Sequence, residues 1–107
     1  MRDLVEERRR ACELAKELIQ SNENYIDHVI ELWKIGNALY GQVWNTEFHV
    51  FGVIESETDH LPTTKVRENC SKEWLTKADA EVDECISFYK QEVSKACNEI
   101  LSKHSNA

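Results

Sequence analysis

The stretch TKADAEVDECISFYKQEVSKACNEILSK, residues 76–103, decides the fold class. Val82, Ile86, Tyr89, Val93, Ala96 and Ile100 follow one another at alternating steps of four and three, with Cys85, Cys97 and Leu101 alongside. That spacing keeps returning to one side of a 3.6-residue helix, and the charged residues between fill the other side. The prediction is a long amphipathic helix beginning near Ser71 or Thr76 and running to about Lys103. Its apolar stripe requires other elements to cover it. The tail over 103–107, ending His104-Ser105-Asn106-Ala107, is expected to fray.

The N-terminal half supplies that cover. Leu4, Ala11, Leu14, Ala15, Leu18 and Ile19 recur at helical steps and predict a first helix over about Asp3 to Ile19. Ser21-Asn22-Glu23-Asn24 reads as a tight turn that also caps a second helix, about Asn24 to Gln42. Two helices joined by so short a loop pack as an antiparallel hairpin. The inner face of the second helix is expected at Ile26, Val29, Ile30, Trp33 and Tyr40, widened by Tyr25, Leu32 and Leu39 and interrupted by Asn37. Gly36 and Gly41 weaken its C-terminal half, either for close helix contact or to mark its end. Beyond Trp44 the pattern changes. Phe48, Val50, Phe51, Val53 and Ile54 form an apolar cluster after Asn45-Thr46-Glu47, with Asn45 or Thr46 as a candidate cap. A strand competes over 47–54, because Val, Phe and Ile favour sheets. With no second clear strand to pair with, a short helix is the reading. The stretch Glu55 to Thr64 is expected to be irregular, with Pro62 biasing Leu61 toward an extended backbone. The expectation is one all-α domain over 1–107. It is a four-helix bundle variant with an antiparallel N-terminal helical hairpin, a short third helix and a long C-terminal helix.

Composition narrows the function classes. A chain of 107 residues that is 41% hydrophobic can bury a single core. Twenty acidic residues against 13 basic leave a net charge of −7, which repels phosphate backbones and argues against nucleic-acid binding. Arg8-Arg9-Arg10 follows Glu6-Glu7 within a helical pattern and reads as a solvated face. The same balance suits a basic partner, whose complementary field speeds and orients association. No stretch reaches the ~18 apolar residues of a membrane span, and Met1-Arg2-Asp3-Leu4 lacks a signal-peptide pattern, so the cytoplasm is the expected location. Cysteines at 12, 70, 85 and 97 form neither a Cys-x-x-Cys nor a zinc-finger spacing. They read as reduced structural thiols, Cys12, Cys85 and Cys97 on or beside apolar stripes. Cys70 can be a nucleophile only if something outside its own sequence activates it. Three glycines cannot build a phosphate loop, and no nucleophile elbow or His-Glu-x-x-His is present. The aromatic set Trp33, Tyr40, Trp44, Phe48 and Phe51 reads as core in preference to a ligand pocket.

The segment from Glu55 to Trp74 is the candidate site. Glu55, Glu57, Asp59 and His60 stand within six residues, followed by Arg67 and then Trp74. Ile54-Glu55-Ser56-Glu57-Thr58-Asp59-His60-Leu61-Pro62, with Val66-Arg67, Trp74, Leu75 and Asp79 behind it, resembles the signature of a family of small bacterial helical proteins. The resemblance covers residues 48 to 82. It implies a bacterial helical domain with this segment as its core feature, and it implies no activity. Read from the residues, the segment is first a loop staple. Ser56 or Thr58 accepts backbone N–H bonds, Asp59 closes an Asx turn, and Arg67 braces a carboxylate bidentately. The alternative is a metal or enzymatic site. Glu57 and His60 have the Glu-x-x-His spacing of di-iron bundles, but there is one copy where two are needed, so no cofactor is assigned. His28, beside Asp27 and Glu31, reads as a surface residue. The expected function is a non-enzymatic acidic binding protein, immunity- or antitoxin-like, with a basic protein as partner. A homo-oligomeric structural module, such as a homodimer, is the third reading.

Overall fold

Asp3 opens the first helix as its position predicts, its side chain accepting the backbone N–H groups of Val5 and Glu6. The computed structural model describes residues 3–62 and 66–105. Met1 and Arg2, Thr63 and Thr64 of the expected irregular stretch, and Asn106 and Ala107 of the expected tail lie outside the described residues. Four α-helices follow in order: α1 (Leu4–Gln20), α2 (Tyr25–Tyr40), α3 (His49–Thr58) and α4 (Lys72–His104), with a single 3-10 turn at Arg67–Asn69 before α4. The competing strand over 47–54 is absent, as is every other strand among the described residues.

The α1–α2 hairpin closes through the Ser21–Asn24 turn, where Ser21 Oγ accepts from Glu23 N–H at 3.0 Å. Asn24 takes a left-handed φ of 54° and makes no side-chain capping bond, so it starts α2 through its backbone conformation. His28 is not the surface residue its neighbours suggest. It is mostly buried, and its Nε2 lies 2.9 Å from Glu17 Oε2, tying α2 to α1. Arg9 pairs with Glu6, and Arg10 with Glu13 at 3.5 Å, along the solvated face of α1.

The inner face of α2 lies closer to its centre than the sequence suggests. Leu32, Ile35 and Gly36 are buried with Tyr25, Ile26 and Val29, while Trp33 is only half-buried and Tyr40 is 45% exposed. The reason is a wedge. Val43 sits between two glycines, and a Cβ on Gly36 would lie 2.8 Å from one Val43 methyl and 2.7 Å from Phe48 Cβ. A Cβ on Gly52 of α3 would lie 2.7 Å from the other Val43 methyl. Gly36 therefore serves close contact, and Gly41, at φ 80°, ends the helix. Of the aromatic set, only Phe48 and Phe51 are fully buried, each worth roughly 1.5–3 kcal/mol of burial. Trp44 is exposed, edge-on to His49.

Helix α3 continues past the point where an irregular stretch was expected. Thr46 Oγ1 donates to Val43 O at 2.6 Å and accepts from Phe48 N–H at 3.1 Å, which turns the chain into the helix. At the other end Ile54 and Thr58 are buried on one face, and Thr58 Oγ1 donates to Ile54 O at 2.7 Å. Glu55 to Thr58 are thus helical, because their apolar neighbours have a core to face. Pro62 still forbids further helix, and the chain leaves at Asp59.

Helix α4 has 33 residues and α1 has 17, about 50 Å against about 25 Å at the helical rise. The shorter helix cannot cover the longer. Val93, Ala96, Cys97, Ile100 and His104 are buried in the C-terminal part, whereas from Lys72 to Glu92 only Ala78 is. The tail does not fray at 103: Lys103 and His104 are the last residues of α4, and His104 is 5% exposed. No helix among the described residues is long and apolar enough to cross a membrane.

Candidate functional site

Two polar clusters stand out, one predicted and one not. The predicted segment spreads along the uncovered part of α4. The acceptor Glu57 takes a hydrogen bond from the Tyr89 hydroxyl, which with burial raises that phenol to about 12. His60 Nε2 lies 2.7 Å from Glu81 Oε2, and its Nδ1 is 3.9 Å from Asp59. Arg67 grips Asp79 bidentately at 2.8 and 3.1 Å, and this holds the Asp79 carboxyl below its ordinary value.

Of the expected staple the bidentate Arg67 brace is present, on a partner other than those expected. Arg67 braces a carboxylate of α4, not one of Glu55, Glu57 or Asp59. Thr58 donates into its own helix, and the turn at Asp59 is a backbone one, Leu61 N–H to Thr58 O at 3.0 Å. Glu55 is half-buried on α3. Trp74 is half-buried in the first turn of α4, where its N–H bonds the Ser71 cap at 3.1 Å. Glu57 and His60 turn to different partners, and among the described residues no three His, Cys, Asp or Glu groups converge on a point where a metal ion could sit. The four thiols are free. Burial pushes Cys97 up to about 12 and, with Glu57 nearby, Cys85 up to about 11. Cys70 Sγ donates to Val66 O at 3.6 Å.

Between the end of α3 and the middle of α4 lies a groove of about 480 Å³. Leu61, Cys85 and Tyr89 form its floor, and Glu57, Glu81 and Glu84 rise at its edges. Phe88 stands beside them, 76% exposed and packed edge-on to Tyr89 with ring centroids 4.8 Å apart. No lysine or arginine lines the groove.

The second cluster centres on a buried carboxylate. Glu47, 5% exposed, accepts from the Tyr40 hydroxyl at 2.6 Å and from His104 Nε2 at 2.7 Å, both on Oε2, with Lys103 Nζ 3.7 Å from Oε1. Burial alone would raise the Glu47 carboxyl. The bonds from Tyr40, from its own backbone N–H and from His104, with the Lys103 charge, outweigh it and hold the carboxyl below its ordinary value. Burial and the bond to Glu47 push Tyr40 up to about 12. These residues come from the end of α2, the approach to α3 and the end of α4. The cluster is a structural lock. One signal pointed to it: His104 continues the 93, 96–97, 100 stripe by one further step of four.

No family model matches this chain, and no curated protein or solved structure matches it.

Proposed function

We infer that the chain is a non-enzymatic binding protein that docks a basic protein segment, as immunity- or antitoxin-like proteins do, in the groove between α3 and α4. The observation that carries this reading is the groove itself. It combines an apolar floor, a protruding Phe88 and three carboxylates, with no cation among its lining residues. A large exposed aromatic is the kind of residue that anchors an interface, and flanking carboxylates choose a partner by charge. The partner that fits is an amphipathic segment with lysine or arginine beside an apolar residue. Glu84 has no cationic partner among the described residues, and Glu81 meets only His60. A basic segment therefore has little internal competition for these carboxylates.

The test is a titration at low salt with a synthetic amphipathic lysine–leucine peptide. The reading expects saturable binding that weakens about tenfold or more in Glu84→Lys and in Phe88→Ala. Glu13→Lys, which changes net charge equally on the exposed face of α1, should have far less effect. Equal weakening by Glu13→Lys and Glu84→Lys would mean that only net charge is sensed, and the groove would lose its role. Sedimentation of the protein alone that shows a dimer lost in Phe88→Ala would assign the groove to a second copy of the chain instead.

A further inference from the structure

In a chain of which 31% is charged, the stretch from Ile35 to Ile54 carries one charged side chain, Glu47, and that one is buried. Lys34 and Glu55, one of each sign, bound the stretch in sequence. It makes up the end of α2, the connection to α3 and the first half of α3. The surface it presents is therefore neutral, and aromatic rings stand on it. A Cβ on Gly52 would lie 3.5 Å from Trp33 Cδ1 and 3.7 Å from Trp44 Cη2, so the two indoles lie side by side over the bare backbone of one glycine. Trp44 is 51% exposed, Trp33 is half-buried against the core, and the exposed His49 ring meets Trp44 edge-on with centroids 5.0 Å apart.

This indole shelf is held in place before any partner arrives. His49 Nδ1 accepts from the Asn45 N–H at 3.1 Å, which fixes the imidazole against Trp44. Beneath the indoles, Val43 wedges so close to Gly52 that a Cβ there would lie 2.7 Å from its methyl. Rings fixed in advance lose little freedom on binding. A surface depleted of charge and carrying exposed aromatics has the composition of an interface core.

We propose that a second copy of this chain docks on this face, in a two-fold dimer in which each Trp44 packs on the indole shelf of the other copy. Charge chooses the occupant. Two chains of net charge −7 repel wherever their carboxylates meet, and they repel least across a face that exposes none. A basic partner finds no exposed carboxylate in this stretch to pair with. A two-fold axis sets the same patch of both copies against itself, so the patch must be self-complementary, and neutral aromatic rings that stack on one another are. The face shares no residue with the Phe88 groove, so it stands apart from the docking reading.

The test is sedimentation equilibrium of the protein over a range of concentration and salt. A monomer–dimer equilibrium is expected that tightens about threefold or more between about 20 and about 500 mM salt, since screening removes the mutual repulsion. Trp44→Asp, at an exposed position, should weaken the dimer about tenfold or more with helical content unchanged. Phe88→Ala should leave the dimer as it is. On dilution of the wild-type protein, amide NMR shifts are expected at Trp44, Asn45 and His49 and not at Glu84 or Phe88, which locates the contact without a variant. A chain still monomeric at about 1 mM, a dimer that loosens with added salt, or one that Trp44→Asp leaves intact would each overturn the proposal. Peptide binding in the Phe88 groove should weaken with salt, the opposite sign, so the two readings fail separately.

Discussion

The Glu47 cluster and the row of pairs from Glu57 to Arg67 are built from the same chemistry, yet they stand at opposite ends of α4 in opposite environments. Around Glu47 one buried carboxylate collects a phenol, an imidazole and an ammonium from three parts of the chain. Along the other end the pairs are made in contact with water: His60 with Glu81 and, more loosely, Asp59, and Arg67 with Asp79. A pair that water can replace contributes little, whereas a buried polar group whose partner is removed keeps its desolvation cost. The crowded acidic stretch in the sequence is therefore the weaker of the two for stability. Its exposed carboxylates are the ones the proposed docking reading uses.

This contrast can be broken by experiment. The largest effect expected is from Glu47→Ala, which takes the acceptor from the buried His104 ring and from the Tyr40 hydroxyl. Chemical denaturation should show a loss of about 3 kcal/mol, and a loss no larger than that of Asp79→Ala would erase the distinction. Gly36→Ala should come next. Helix propensity favours alanine by about 1 kcal/mol, but the new methyl must displace Val43 or Phe48, so a net loss of about 1–2 kcal/mol is expected in thermal unfolding. That substitution also asks whether the wedge holds Glu47 in place, because Val43 and Phe48 flank it in sequence.

Acid sharpens the comparison further. Glu47 and Asp79 both have folded-state carboxyls below their ordinary values. Each therefore adds stability that is full above the unfolded pKa, about 4.3 for glutamate and 3.9 for aspartate, and is lost as pH falls through the folded value. Denaturation across pH 2 to 6, a range of about four units around those reference values, should show a falling acid limb that Glu47→Gln flattens. Added salt should shrink the Asp79 part of the limb and leave the Glu47 part, because only the exposed pair is screened. The smallest effects belong to the exposed row. Asp79→Asn should cost about 0.5 kcal/mol at low salt, and His60→Ala should fall within ~0.5 kcal/mol of the parent. A loss of several kcal/mol from His60→Ala would show that the row is a structural staple of the same rank as Glu47.

The sequence carried the helices well, because helix formation is written in neighbours three and four residues apart. The α4 stripe was legible at Val93, Ala96, Cys97 and Ile100, and Asp3 and Ser71 were legible as starts. It misled where burial depends on what lies across the gap. Val82, Ile86 and Tyr89 belong to the same stripe but are only half-buried, because they pack at the margin of the core and border its clefts. Glu55 to Thr58 looked like loop because their polarity was visible and the core beneath Ile54 was not. His104 looked like tail for the same reason. The candidate site was legible as a cluster of charges, but its partners lie 12 residues along the chain for Arg67 and Asp79 and 21 for His60 and Glu81, beyond the reach of any local pattern.

By itself, then, the sequence determined that this chain is helical, acidic and built on one long amphipathic helix. Those properties are sums over local spacing and composition. Only the tertiary structure decided which polar groups are gathered around a buried carboxylate and which stay in contact with water. Tyr40, Glu47 and His104 become one group through packing alone, while Phe88, about 100° around the helix from Tyr89, lies off the covered stripe and stays bare.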